Sequence, residues 1–201
     1  MIQKWAAFIM PLLRNRKRFC QLLLMVILGI LSFLVSGALF SAEIKQGDIA
    51  KRSDEYFLSV NIDYHLSEKA KTALQNGVPL YWNLLVKVQK YPGFFWDKTW
   101  LKVAKRYQLQ YHALLNMYRV KNEDNGEVHS FSSLSSALEL MSVIIDLPLI
   151  NKALLDPEHQ YLCLIKLDFK RDDLPLPLRP FAYIDPQWYL SSEWTSWPLK
   201  K

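Results

Sequence analysis

Beyond residue 55 of this 201-residue chain, apolar and polar positions switch between a strand period and a helix period, and each switch marks an element. Leu58, Val60, Ile62 and Tyr64 alternate with Ser59, Asn61, Asp63 and His65, which predicts a strand with one wetted face. Ser67 stands where a helix N-cap belongs; Ala70, Ala73 and Leu74 share a helical face, and Gly77 with Pro79 closes it. Leu80, Trp82, Leu84, Val86 and Val88 then face one way along a second strand, opposed by Tyr81, Asn83, Leu85, Lys87 and Gln89, and Pro92-Gly93 ends the run. In a third strand Val103, Tyr107, Leu109 and Tyr111 oppose Lys102, Arg106, Gln108, Gln110 and His112, so one face meets water. Tyr118 and Val120 carry a fourth strand, and Asn125-Gly126 supplies the positive φ of a tight hairpin before Val128 to Phe131 returns.

The rest of the chain reads less regularly. Ser132 and Ser133 open a second helix whose stripe of Leu134, Ala137, Leu138, Met141, Ile144 and Ile145 is helix core, ended by Pro148. Tyr161 to Phe169 is a strand with apolar residues on both faces near its start, as in a sheet interior. Leu174 to Pro180 alternates leucine with proline ahead of Trp188, Trp194 and Trp197, and repeated prolines exclude a central ladder position, so this section is an extended or turn-like wrap. Short links between neighbouring strands imply antiparallel pairing. The pattern predicts an α+β domain, an antiparallel sheet of about six strands with two covering helices, preceded by one N-terminal apolar helix.

That preceding helix determines the compartment. Lys4, Arg14, Arg16, Lys17 and Arg18 come directly before the apolar run Phe19 to Phe40, and no further charge occurs until Glu43. Lysine and arginine are retained on the cytoplasmic side, so residues from Glu43 onward are expected across the bilayer. The 19 residues from Leu22 to Phe40 are long enough to span hydrocarbon, whereas a cleaved signal usually has an apolar centre of about 7–15. Length favours a retained anchor; cutting after Ala38, with small Ser36 at the third position before it, is the alternative, giving a protein secreted to the periplasm. Either Met1 or Met10 can be the start. The organisation is therefore a basic segment at 1–18, an anchor or signal at 19–42, a mixed polar tether at 43–55, and one periplasmic domain at 56–198.

Charge changes the picture once it is divided by region. Five of the 25 Lys and Arg residues, and none of the 19 acidic ones, lie in the first 42 positions, so the exported part has a net charge of 20 − 19 = +1. A nearly neutral domain has no electrostatic case for gripping nucleic acid. Cys20 and Cys163 are separated by the membrane and cannot pair, and Cys163 in an apolar strand reads as a small buried hydrophobe.

Candidate chemistry is sparse. Gly47, Gly77, Gly93 and Gly126 are isolated, so no phosphate cradle forms, and the nucleophile-elbow, paired-histidine zinc and paired-cysteine patterns are missing. Asp63, His65, Arg106 and His112 fall on wet strand faces; if the first and third strands pair, the carboxylate and imidazoles could converge on a metal, against the simpler reading of a solvated face. Tyr91, Phe94, Phe95, Trp96 and Trp100 form an aromatic loop that either closes the core or anchors to a membrane or partner. Pro175 and Pro177 mark a possible docking edge within the wrap.

Several stretches together resemble a proteobacterial family of exported proteins known only as a domain of unknown function: Gly77-Val78-Pro79-Leu80, Tyr107 to Tyr118, Phe131 to Leu140, Leu174 to Leu178, and Trp188 to Trp194. They span most of residues 56 to 198. The family brings no catalytic or binding residues. Its members are often encoded beside nitrogen-regulation-type sensor histidine kinases, so the resemblance implies an envelope signalling accessory. The expected function is a noncatalytic, membrane-tethered interaction or sensing-accessory module without cofactor, held by the inner membrane through residues 19–42 and contacting an envelope protein such as a sensor kinase. The alternatives are a carrier or sensor of an apolar ligand and, third, a metal-dependent enzyme.

Overall fold

A computed structural model describes residues 42–91 and 99–199. The basic N-terminal segment, the apolar run up to Ser41, and Phe94, Phe95 and Trp96 lie outside the described residues. Among the described residues nine strands form two antiparallel sheets. The larger sheet has the order β6-β5-β4-β3-β8-β9, built from β3 (Leu80–Tyr91), β4 (Thr99–His112), β5 (Met117–Asn122), β6 (Val128–Phe131), β8 (Gln160–Phe169) and β9 (Thr195–Pro198). The smaller has the order β1-β2-β7, from β1 (Glu43–Arg52), β2 (Glu55–Asp63) and β7 (Val143–Asn151). Helices α1 (Glu68–Gln75), α2 (Leu134–Ser142) and α3 (Arg179–Ile184) complete the domain.

In the larger sheet β3 and β8 follow the alternation predicted for them, whereas in β4 a register shift opposite Leu84 and Leu85 breaks the phase and leaves Val103, expected to face inward, 52% exposed. Between β3 and β8 Val86 pairs with Ile165, Leu84 with Leu167 and Trp82 with Phe169, and all six are buried on the inner face. The Trp82 indole donates to the Leu190 carbonyl at 3.2 Å and meets Tyr64 edge-on at 5.6 Å between centroids, which ties the wrap and the end of β2 to one ring. Leu58, Val60 and Ile62 of β2 are buried in the same cluster. Both predicted helix starts are realised: Ser67 accepts from the Ala70 amide and Ser133 from the Ser136 amide, each at 3.1 Å. Gly77, at φ +81, closes α1 as its amide bonds the Leu74 carbonyl and Val78 bonds that of Ala73.

The expected single sheet is wrong in three places. The first predicted strand belongs to the smaller sheet, so it does not pair with β4. Residues read as a tether form β1 and its turn. A register shift between Ile44 and Gln46 inserts one residue there, which lets Ile44 and Ile49 both turn toward the core despite their odd spacing and hides the strand period. The second predicted helix stops at Ser142 rather than running to Pro148. Val143, Ile144 and Ile145 are β-branched in succession and favour a strand, and β7 lies at the margin of its sheet, where Pro148 is tolerated beside a register shift.

The outer margin of the larger sheet is finished by side chains. β9 covers β8 only from Leu162 to Ile165. Past that point the Leu167 amide donates to Ser192 Oγ at 2.8 Å, the Ser192 amide returns a bond to the Leu167 carbonyl, and the Phe169 amide donates to Ser191 Oγ at 2.9 Å.

Candidate interaction surface

The proline-leucine wrap is a braced strap. From the end of β8 a 3-10 turn at Arg171–Asp173 leads to buried Leu174; Leu178 starts α3, and a second 3-10 turn at Pro186–Trp188 brings Trp188 under the sheet, stacked on Phe169. Proline fixes φ and stiffens this path without needing a ladder. Arg179 Nε donates to the Leu174 carbonyl at 2.6 Å. The Arg171 guanidinium lies 4.8 Å from the Tyr183 ring centre and 5.3 Å from that of Tyr189, and the Tyr183 hydroxyl donates to Asp172. On the α1 side Ser67 Oγ donates to the Gln187 carbonyl at 2.6 Å, and Lys69 pairs with Asp185, whose carboxyl this bond holds below its ordinary range.

So braced, the strap holds apolar side chains in water. Phe181 and Ile184, one turn apart on α3, are 66% and 80% exposed, and Leu176 is 74% exposed. Pro175 and Pro177, the predicted docking edge, are exposed beside Leu176. Phe181 and Ile184, neighbours by helix spacing and fixed in this way, give the strap an apolar face suited to contact. The sequence pointed to the prolines and missed Phe181 and Ile184, because a six-residue helix is too short to show a period.

The other predicted sites come apart. Asp63 pairs with Lys45, which holds its carboxyl below the ordinary range, and lies 3.7 Å from His65 Nε2. His112 sits on the other sheet with Nε2 3.3 Å from Arg119, and Arg106 bonds Asp173 at 3.0 Å over the Tyr81 ring. The strand pairing needed to join Asp63 to His112 does not occur. Among the described residues no group of three or more His, Cys, Asp and Glu could hold a metal ion. Of the aromatic loop, Trp100 packs against the core with its ring 6.2 Å from Tyr161, while Tyr91 is exposed. Cys163 is fully buried, and burial pushes its thiol up to about 12.

At the far end, where β1 turns into β2 and β8 begins, lies an open cleft of about 740 Å³ lined by Lys51, Tyr56, Lys152, Leu155, His159 and Tyr161 among others. Among the described residues no helix is long and apolar enough to cross a membrane.

The fold and its strap define a two-sheet, antiparallel α+β domain that holds an apolar surface outward. The chain belongs to the family of the domain of unknown function DUF4390, which matches residues 41–198. No curated protein and no solved structure matches it.

Proposed function

We propose that this protein is a noncatalytic docking module of the bacterial cell envelope. It is tethered to the inner membrane by residues 19–42, with its domain on the periplasmic side, and contacts a second envelope protein, such as a sensor kinase, through the strap. The observation that carries this reading is the exposure of Phe181 and Ile184 on a segment locked by Arg171, Arg179, Ser67 and Lys69. Large apolar side chains held rigid lose little entropy on binding, which makes them effective anchors at interfaces. The basic residues ahead of the apolar run support the orientation.

A photo-crosslinking amino acid placed at Phe181 of the full chain in cells tests the reading, with the same group at exposed Glu139 as control. A discrete adduct at 181, absent at 139 and lost when Ile184→Ser is added, supports docking. Equal or no crosslinking at both positions sinks it.

The far-end cleft favours a second reading, carriage of an apolar ligand, because about 740 Å³ lies within the range of small-molecule sites. Native mass spectrometry of the purified chain checks it. A stoichiometric lipid-sized mass removed by Tyr161→Ala would favour the carrier.

A further inference from the structure

The hairpin joining β4 to β5 turns through Ala113, Leu114, Leu115 and Asn116. Hairpin tips are normally polar, built from asparagine, glycine and aspartate. Here Leu114 is fully exposed and Leu115 is 65% exposed. The tip is also held in shape. The Leu115 amide bonds the His112 carbonyl at 3.1 Å, Asn116 takes the left-handed conformation at φ +51, and the Tyr111 hydroxyl donates to the Asn116 side chain. Directly behind the leucines the Tyr111 and Tyr118 rings pack 4.8 Å apart, and His112 and Arg119 meet beside them.

We propose that this tip is a bilayer wedge, with Leu114 and Leu115 inserted among the outer-leaflet acyl chains of the membrane that holds residues 19–42; the inference rests on that tethering. Leucine at the front, paired tyrosines next and a guanidinium behind is the order in which a membrane surface offers hydrocarbon, interface and headgroup phosphate. Area decides against a protein partner. Two leucines on a narrow turn fall far short of the surface a stable protein–protein contact buries, whereas a tethered domain needs only a weak second membrane contact to fix its orientation.

Topology places the wedge correctly. The described chain begins at Ala42, two residues past the apolar run, and Glu43 pairs with Asp63. Tyr64 follows and meets Trp82, which pairs with Tyr107 of β4. From Tyr107 the strand runs on toward the tip, so the wedge points out of the end where the chain enters. The seven steps from Tyr107 to Leu114, at about 3.3 Å each, give a reach of at most roughly 23 Å, which a tilted domain spans while both points stay at one surface.

The test uses the full chain in nanodiscs of phosphatidylcholine and phosphatidylglycerol. A nitroxide is attached at Leu114→Cys in a Cys20→Ser background, where buried Cys163 stays unlabelled, and Asp54→Cys, on the far β1–β2 turn, is the control. We expect the ratio of oxygen to nickel-chelate collision at 114 to exceed that at 54 several-fold, with the same result at Leu115→Cys. Equal ratios at 114 and 54 in a chain that co-elutes with the discs overturn the wedge alone. Exclusion of both probes at 114 also overturns it, in favour of a protein contact. A chain that fails to co-elute with the discs overturns the tether and the wedge together.

Discussion

Gly47 of β1 lies directly over the Trp197 indole of β9, so that a Cβ on Gly47 would sit 2.7 Å from the ring. The two sheets meet at this point, and glycine is required for close approach rather than for an unusual φ. Gly47→Ala should therefore lower stability by about 1–3 kcal/mol through overpacking. Urea denaturation measures this, and the loss should shrink in a Trp197→Leu background, where the ring is gone. An equal loss in both backgrounds would refute the contact.

Ser67 is buried and serves two elements at once, capping α1 and holding the Gln187 carbonyl of the strap. Ser67→Ala removes a cap and strands a carbonyl, for an expected loss of about 1–3 kcal/mol. Hydrogen exchange should rise at the amides of Trp188 to Leu190 as well as in α1. Faster exchange in α1 alone would mean that the strap does not depend on this hydroxyl.

Cys163 should resist thiol reagents in the folded protein, because its thiol stays protonated until about pH 12. The unfolded chain ionises it near the ordinary value of 9.0, so between those values unfolding releases a proton. The stability this provides is complete below pH 9 and falls as pH rises toward 12. Comparing urea midpoints of the protein and Cys163→Ala at pH 8 and pH 10.5 isolates the effect: the gap between them should narrow at the higher pH.

Asp146 in β7 adopts φ +52 and pairs with Arg52 at 2.8 Å. A β-branched side chain is strained there, so Asp146→Val should cost about 1–2 kcal/mol more than Asp146→Gly. The Arg52 pair is exposed and contributes little, so Asp146→Gly should remain close to the original in thermal melts. Matching melts for the two variants would exclude backbone strain at this position.

Strands β3 and β8 of the larger sheet were legible because they keep strict alternation: Leu80 to Val88 and Tyr161 to Phe169 bury every second residue, while the register shift in β4 turns Val103 out of the face its spacing implied. In the smaller sheet β2 was legible from the alternation of Leu58 to Ile62, whereas β1 and β7 were not, for local reasons. The irregularity after Ile44 shifts β1 out of phase, and Ile144 with Ile145 extends the stripe of α2 by coincidence of spacing although β-branching favours a strand. The candidate site was half visible. Repeated prolines announced a wrap, but the exposure of Phe181, Ile184 and Leu114 depends on what the rest of the chain leaves uncovered, which no local pattern encodes.

Seryl oxygens standing in for a missing neighbour at the rim of β8 also limit what the molecule can join. An amide already engaged by Ser191 or Ser192 offers no template to a passing extended chain, so cross-β growth is blocked along that border at the cost of two hydroxyls and no additional strand.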